Sequence, residues 1–229
     1  MIESIEYTNK GCRECNQDYV LSKTLSDSSS LFVIADGMGG YSHGEVASMI
    51  VATAISEFVE INFNKYSPSI LIRDAVAFAN ENLMLKRVAL NGDKMGCVIA
   101  ALLIVDDEAY LTWLGDSRIY IFRNGQQIYR TEDHSVVNEL SKIKLLTADD
   151  IERYSAIVTR SVMGDDNLGK VPIAKLGIEA GDVFVLCTDG FYKELPMEKA
   201  LSFIPEREKV LDVLTLSVSD NYSFIKVQF

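Results

Sequence analysis

Hydrophobic residues along the chain follow two different periods, which predicts a fold with both strands and helices. Short apolar runs at 32–35, 97–105 and 183–187 end at turn residues, as buried strands do. Stripes with helical spacing predict two helices between the first and second runs, the later one starting at Ser67-Pro68 with an N-cap and a first-turn proline. The stripes consist of Val51, Ile55, Phe58 and Val59, and of Ile72, Val76, Ala79 and Leu83.

The middle of the chain predicts an antiparallel meander, because its strands are joined by connections too short for a parallel crossover. Its segments are 97–105, 109–114, 118–123 and 127–130, and Asn124-Gly125 is a strong hairpin signal before the last of them. A polar, mixed stretch over 135–169 predicts an irregular insert with short helical pieces. A helix over 206–216 and a strand over 222–229 complete the pattern.

The order of these elements predicts an α+β layered fold with its helices outside. No repeat, low-complexity run or linker divides the chain, so we expect a single domain over residues 1–229. With 48% hydrophobic residues, a chain of this length can build a sizeable core.

Charge and the N-terminal sequence narrow the function classes. The net charge of −11 disfavours nucleic acid as a main partner, because phosphate backbones attract Lys and Arg. No apolar run reaches the length of about eighteen residues that spans a membrane, and the N-terminus lacks the blocks of a signal peptide. We therefore expect a soluble, cytoplasmic protein, with a monomer as the default.

Two of the four cysteines form a C-x-x-C, and the other two lie in apolar runs. Cys12 and Cys15 could be a redox pair or half of a zinc site. The chain has no second C-x-x-C and only two histidines, which disfavours structural zinc. The pair follows a turn-like stretch, not the strand of a thioredoxin-type motif, so we favour coincidental spacing. Cys97 and Cys187 are interpreted as small core residues.

Aspartates recur at turns near the ends of predicted strands. They are Asp18, Asp36, Asp116, Asp189 and Asp220, and three of them adjoin a glycine. Turn chemistry alone explains any one of them, because Asp and Gly are common turn residues. Several carboxylates that converge at strand ends would also form a site for Mg²⁺ or Mn²⁺, which prefer oxygen ligands.

Ordered motifs around these aspartates resemble those of bacterial type 2C metal-dependent protein phosphatases. The motifs are Arg13-x-x-Asn16-Gln17-Asp18, Asp36-Gly37-Met38-Gly39-Gly40 followed by Gly44-Glu45-x-Ala47-Ser48, Gly115-Asp116-Ser117-Arg118-Ile119-Tyr120, Asp133-His134-Ser135, Thr188-Asp189-Gly190 and Asp220-Asn221. The resemblance runs from about residue 13 to the C-terminus.

The resemblance implies a four-layer α-β-β-α sandwich, with two antiparallel sheets flanked by helix pairs. It places the insert over 135–169 as a flap beside the active site. It also implies hydrolysis of phosphoserine and phosphothreonine on proteins by a water that two metals activate. The implied partners are phosphoprotein substrates and a cognate Ser/Thr kinase.

The resemblance also implies roles for individual residues at the metals. Asp36 is expected to bridge two metals, with the Gly37 carbonyl and Asp189 on one and Asp220 on the other. Asp18 is expected to hold the first-site metal, through its waters.

A further metal and the substrate phosphate have implied ligands too. Asp116 and Asp189 are expected to help bind a third, weaker metal. Arg13 is the candidate phosphate clamp, because a guanidinium fork matches two phosphate oxygens; the alternative is a surface ion pair. Arg118 and Arg160 are interpreted as structural residues, with carboxylates as candidate partners.

Several positions depart from the family pattern. Gln17 stands where many relatives have Glu, and neither Met38 nor Tyr41 is the His that some relatives carry at these places. His43 is out of register, so no general acid is assigned. His134 matches the family, yet a helix N-cap explains its motif as well, and we predict a structural role.

Three rival functions remain open. A pseudophosphatase would bind phosphoproteins without turnover, but such proteins usually lack metal-binding aspartates. A partner-switching phosphatase usually carries a sensor domain, for which this chain has no room. A two-metal nuclease would conflict with the acidic charge and the lack of a basic stripe.

Overall fold

Ten strands and five helices are present in the residues that the computed structural model describes, which are 2–39, 43–194, 197, 201 and 218–229. The strands are β1 (Glu3–Asn9), β2 (Asp18–Ser26), β3 (Ser29–Gly37), β4 (Cys97–Val105), β5 (Glu108–Leu114), β6 (Arg118–Arg123), β7 (Gln126–Arg130), β8 (Ile173–Gly177), β9 (Val183–Cys187) and β10 (Tyr222–Gln228). The helices are α1 (Gly44–Asn62), α2 (Pro68–Ala89), α3 (Val136–Ser141), α4 (Ala148–Tyr154) and α5 (Asp189–Glu194).

The strands form two five-stranded antiparallel sheets, in the orders β1-β10-β9-β6-β7 and β2-β3-β4-β5-β8. The β4–β5 and β6–β7 hairpins confirm the predicted antiparallel pairing. The meander is not one continuous sheet, however, because β5 and β6 belong to different sheets. The chain crosses between them at Gly115, which has φ +111° and where a Cβ would lie 2.1 Å from Val98 Cγ1. Only glycine fits this crossing without strain.

Side chains alternate between the two faces of a strand, so one sheet contributes to two hydrophobic core layers. On β3, Phe32 and Ile34 pack with the other sheet, whereas Leu31, Val33 and Ala35 face the helices α1 and α2. Successive strand residues point to opposite faces, so a fully apolar strand such as β3 or β4 must be covered on both sides. Each buried Leu, Ile or Phe side chain contributes about 1.5–3 kcal/mol relative to exposure.

The predicted helical stripes are the buried faces of α1 and α2, with Val51, Ile55 and Val59 on the first helix. Pro68 begins α2 after the N-cap Ser67, but the Ser67 side chain makes no capping hydrogen bond. No described helix has the length and apolar composition needed to cross a bilayer.

The opposite face of the sandwich is covered by α5 among the described residues. Phe191 of this helix packs with Phe224 of β10, with ring centroids 4.8 Å apart, in a core that also includes Tyr120 and Val185. The helix predicted over 206–216 lies outside the described residues. Two sheets with the α1–α2 layer on one side and α5 on the other confirm the α+β sandwich.

The stretch from 135 to 169 carries the short helices α3 and α4. An isolated bridge between Ser135 and Val158 joins two parts of the stretch to each other, and a second bridge between Cys97 and Val162 ties the stretch to β4. Asn80 of α2 holds the end of the stretch, because its side chain bonds the Gly164 N–H at 2.9 Å and the Asp165 carbonyl at 2.8 Å.

Candidate metal centre

The predicted aspartates converge where several strands end. Asp36, Asp116, Asp189 and Asp220 line a cavity of about 480 Å³ together with Arg13. Each reaches the cavity from a different segment: β3, the crossing between the sheets, the start of α5 and the residue before Asn221. This convergence depends on the sandwich, because the four carboxylates are spread over more than half of the chain.

Asp18 lies beneath the cavity, opposite Asp36 in the register of β2 and β3. It is only 7% exposed, and its Oδ2 accepts hydrogen bonds from Ser223 Oγ at 2.6 Å and from Thr188 Oγ1 at 3.0 Å. The other oxygen, Oδ1, is buried without a hydrogen-bond partner. Leaving a buried acceptor unpaired costs about 1–3 kcal/mol. Binding of a proton or a cation at Asp18 Oδ1 would remove that cost.

Asp36 is the electrostatic centre of the group. Burial raises the pKa of Asp36 well above its usual range, and the charges of the other four aspartates raise it further. Burial likewise raises the pKa of Asp18 to about 7 and that of Asp116 to about 6, in each case with a contribution from Asp189. Desolvated carboxylates this close repel each other, and bound cations would remove that penalty.

The two outer carboxylates have cationic partners from the chain itself. Arg13 Nη2 lies 2.9 Å from Asp220 Oδ2, and Lys193 Nζ lies 2.6 Å from Asp189 Oδ2. No Lys or Arg of the described residues forms an ion pair with Asp18, Asp36 or Asp116. Positive charge is therefore missing at the inner part of the cavity, where the carboxylates are most buried.

The carboxylates fit a hard divalent cation, although they do not form a finished cage. No three His, Cys, Asp or Glu side chains in the described part of the chain stand close enough together to hold one ion as they are. Asp189 and Asp220 are instead turned toward Lys193 and Arg13. The donors are all oxygens, and one buried Asp18 oxygen lacks a partner. That chemistry suits Mg²⁺ or Mn²⁺ and not zinc.

Backbone packing fixes the two loops that carry the outer aspartates. The Asn221 side chain accepts a bond from Gln17 N–H and donates to the carbonyls of Lys10 and Cys15, each at 2.9 Å. It thereby ties the loop that carries Arg13 to the residue next to Asp220. Gly190 is required beside it, because a Cβ there would lie 2.1 Å from the Asn221 carbonyl oxygen.

Glycine also fixes the turn after β3. A Cβ on Gly37 would lie 2.5 Å from the Gly44 carbonyl oxygen at the start of α1. The Gly37 N–H donates to the Gln17 carbonyl at 2.9 Å. These contacts hold the backbone next to Asp36 against the loop before Asp18.

Comparison with known proteins identifies this arrangement. A family model described as protein phosphatase 2C matches residues 10–217. The chain belongs to the protein phosphatase 2C family. This type 2C phosphatase is 31% identical over 185 residues to protein phosphatase PhpP of Streptococcus pneumoniae, a match covering 78% of the chain and 74% of PhpP.

Solved structures agree with the family. The S. agalactiae serine/threonine phosphatase has a TM-score of 0.83 at 30% identity, covering 100% of this chain and 99% of that one. The catalytic domain of serine/threonine protein phosphatase PstP in complex with two manganese ions has a TM-score of 0.81 at 22% identity, covering 99% and 97%. The shared fold confirms the predicted sandwich. This phosphatase is a metal-dependent hydrolase of phosphoserine and phosphothreonine in proteins.

The arginines outside the cavity have structural partners. Arg118 of this type 2C phosphatase donates to both oxygens of Asp133, at 2.8 and 2.6 Å, and lies over the Tyr192 ring. That agrees with the predicted carboxylate partner. Arg160 also has a structural contact, but its acceptor is the Lys170 backbone carbonyl and not a carboxylate. A backbone acceptor of this kind is invisible in the residue pattern.

His134 stabilises the crossing that carries Asp116. The imidazole Nδ1 accepts a hydrogen bond from the Gly115 backbone N–H at 3.2 Å, and the backbone N–H of His134 donates to the Gly115 carbonyl at 2.9 Å. Ser135 caps α3 by accepting from Asn138 N–H. His134 therefore positions a loop of the metal centre, which agrees with the predicted structural role. His43 lies away from the cavity wall, 3.7 Å from Asp93.

The cysteines divide as their sequence surroundings indicated. Cys97 and Cys187 are buried in the core, where burial raises the pKa of both thiols. Cys12 and Cys15 are exposed and free, in the turn that carries Arg13. The buried pair therefore packs as small apolar residues, whereas the exposed pair forms no disulfide.

Proposed function

We propose that the cavity holds two divalent cations, Mg²⁺ or Mn²⁺, beside the phosphoester of a protein substrate. The observation that carries the proposal is the convergence of Asp36, Asp116, Asp189 and Asp220 on one cavity, with Asp18 opposite Asp36 in the β2–β3 register. Burial and the charges of the other four aspartates raise the pKa of Asp36. A carboxylate in that place can bridge two ions, and cations there would offset the repulsion that burial creates.

We assign the surrounding oxygens in the same way. The Gly37 carbonyl, Asp36 and Asp189 would hold one ion, and Asp36 and Asp220 would hold the other. Asp18 would help to hold the first ion through water, and that contact would satisfy its unpaired Oδ1. Thr188 and Ser223 keep the Asp18 carboxylate in one orientation through its Oδ2.

Two such ions, when bound, lower the pKa of a shared water towards about 7 and neutralise charge on the phosphoryl oxygens. The chain's own part is preorganisation. β-Sheet register sets Asp18 and Asp36 side by side, and Asn221 fixes the Arg13 loop beside Asp220. Phosphate monoesters hydrolyse extremely slowly without a catalyst, so positive charge held in place is the main requirement.

Metal dependence tests this assignment directly. Hydrolysis of p-nitrophenyl phosphate and of a phosphothreonine peptide is expected with Mn²⁺ and with Mg²⁺, and is expected to disappear in EDTA. Excess Mn²⁺ should restore the activity lost in EDTA, which separates metal loss from unfolding. Turnover that persists in EDTA would contradict the proposal, and no turnover with either ion on either substrate would favour a pseudophosphatase.

Arg13 is proposed to bind the substrate phosphate. It lines the cavity, and its side chain is 55% exposed, so its guanidinium can leave Asp220 once an ion occupies that carboxylate. Because a hydrogen bond to a charged group contributes about 1.5–3 kcal/mol, Arg13→Ala should raise KM roughly tenfold to hundredfold with a smaller change in kcat.

The matched variant is Arg13→Lys, which keeps the charge but loses the planar fork. Steady-state kinetics on the phosphothreonine peptide should place its KM between those of the wild type and Arg13→Ala. An unchanged KM in Arg13→Ala would return Arg13 to the alternative of a surface ion pair.

We also propose the cellular setting. The phosphatase is proposed to act as a monomer in the cytoplasm, on phosphoproteins modified by a Ser/Thr kinase. The named activity of its relatives supports the phosphoprotein substrate, and the net charge of −11 disfavours a nucleic-acid partner. The same acidic charge argues against DNA cleavage, which incubation of the protein with DNA and Mg²⁺ would test.

A further inference from the structure

Lys193 is placed by helix geometry at the outer edge of the metal centre. Helix α5 begins at Asp189, and Lys193 follows one turn later on the same face. Its ammonium nitrogen lies 2.6 Å from Asp189 Oδ2, and its charge also acts on Asp116 and Asp220. Nothing in the residue pattern had pointed to this lysine.

The charge balance of the cavity explains why a lysine at this position matters. Four carboxylates line the cavity and Asp18 lies beneath it, so two divalent cations would leave one of the five negative charges uncompensated. Lys193 supplies one positive charge at the side of the cavity where Asp116 and Asp189 meet. Arg13, on the Asp220 side, then remains available for a phosphate.

We propose that Lys193 is a built-in cation that takes the place of a third divalent ion between Asp116 and Asp189. This inference rests on the proposed function of the cavity as a two-metal centre. An ammonium 2.6 Å from Asp189 Oδ2 fills the space that an ion on this oxygen would need, since Mg²⁺ lies about 2.0–2.1 Å from its oxygen ligands. The other oxygen, Asp189 Oδ1, is left for the first of the two proposed ions. Its charge also repels a further cation. The phosphatase should therefore bind two divalent ions and not three.

The test is the number of Mn²⁺ ions bound per chain, measured by isothermal titration calorimetry and by the electron paramagnetic resonance signal of free Mn²⁺. The wild type should bind two ions. Lys193→Met keeps the length of the side chain and Lys193→Gln keeps its polarity, and both remove the charge. Each variant should bind a third, weaker ion.

Two control variants show whether charge at this position is responsible. Lys193→Arg keeps the charge and should bind two ions. Lys23→Gln removes a lysine that pairs with Glu60 on the surface, at 2.7 Å, and should also bind two. Circular dichroism of every variant identifies any that fail to fold. If one of the two neutral variants does not fold, the other still provides the comparison with the wild type.

Several results would overturn the inference. It is wrong if the wild type already binds three ions, or if both neutral variants still bind two. Tighter binding of the same two ions would mean that Lys193 only competes with metal at Asp189. A third ion in Lys193→Arg would contradict the argument from charge. A wild type that binds no Mn²⁺ would instead refute the metal centre itself.

Discussion

Replacing Asp36 with Asn should abolish phosphatase activity and at the same time stabilise the metal-free protein. The activity falls because the central carboxylate holds both proposed ions, and losing preorganised charge stabilisation costs at least about 10³-fold in kcat. The stability rises because the buried Asp36 carboxyl is repelled by four other aspartates, and Asn has the same shape without the charge. We expect a gain of about 1–3 kcal/mol in EDTA near neutral pH.

The matched control is Asp27→Asn. Asp27 is exposed just beyond the far end of β2, whereas Asp18 begins that nine-residue strand. Roughly 30 Å therefore separate Asp27 from Asp18, which lies opposite Asp36. The control should keep full activity and unchanged stability. Urea unfolding in EDTA and peptide turnover with Mn²⁺ measure the two effects. Near-normal turnover in Asp36→Asn would remove the bridging role, and lower metal-free stability would contradict the repulsion argument.

The parts of the fold that the sequence predicted are those in which local pattern and burial agree. Strands β3, β4 and β9 are covered on both faces and are therefore continuously apolar, whereas α1 and α2 cover one face and carry a stripe. Strands β1, β2 and β8 were missed because nearly all of their positions are exposed or only partly buried, so they carry no continuous apolar run. Two of them, β1 and β8, pair with segments more than 50 residues away, which no local window contains.

The candidate site was predicted as a set of residues, not as an arrangement. The aspartates were recognised because each lies at a turn near the end of a predicted strand, and the family resemblance gave them roles. Their partners carried no such signal. Ser223 is an ordinary strand residue until the sandwich brings it 2.6 Å from Asp18, which is 205 positions away in the chain.

Lys193 is a second residue of the site whose contact could not be predicted from the sequence. The Asp189-Gly190 pair was interpreted as a turn, whereas the structure starts α5 there. Only the helix puts residue 193 on the same face as residue 189, so the ion pair could not be predicted from a turn. Secondary structure thus decides which charged side chains can belong to the centre.

The stability of the metal-free protein should fall as pH rises from 5 to 7. Asp18, Asp36 and Asp116 have folded-state pKa values raised above those of the unfolded chain, two of them to about 7 and about 6. The unfolded state therefore loses these protons first, near pH 4, while the folded state keeps them to higher pH. Each such group lowers the free energy of unfolding by about 1.4 kcal/mol per pH unit until its folded pKa is passed.

Other titrating groups do not cancel this slope. Burial lowers the pKa of His134, which makes stability rise with pH up to about 6.5, but it is one group against three. Asp182, held by Arg123, has a lowered pKa and changes stability only below about pH 4. We therefore expect a net fall of at least about 1.4 kcal/mol per pH unit between pH 5 and 7 in EDTA.

Urea unfolding at each pH, with EDTA or with saturating Mn²⁺, measures the effect. With Mn²⁺ the slope should reverse, because ions bind the deprotonated carboxylates and compete with protons. Asp36→Asn should flatten the EDTA slope by about one proton, whereas Asp27→Asn should leave it unchanged. A flat profile in EDTA would mean that the carboxylates are ionised without metal, and the electrostatic argument for cations in the cavity would fail.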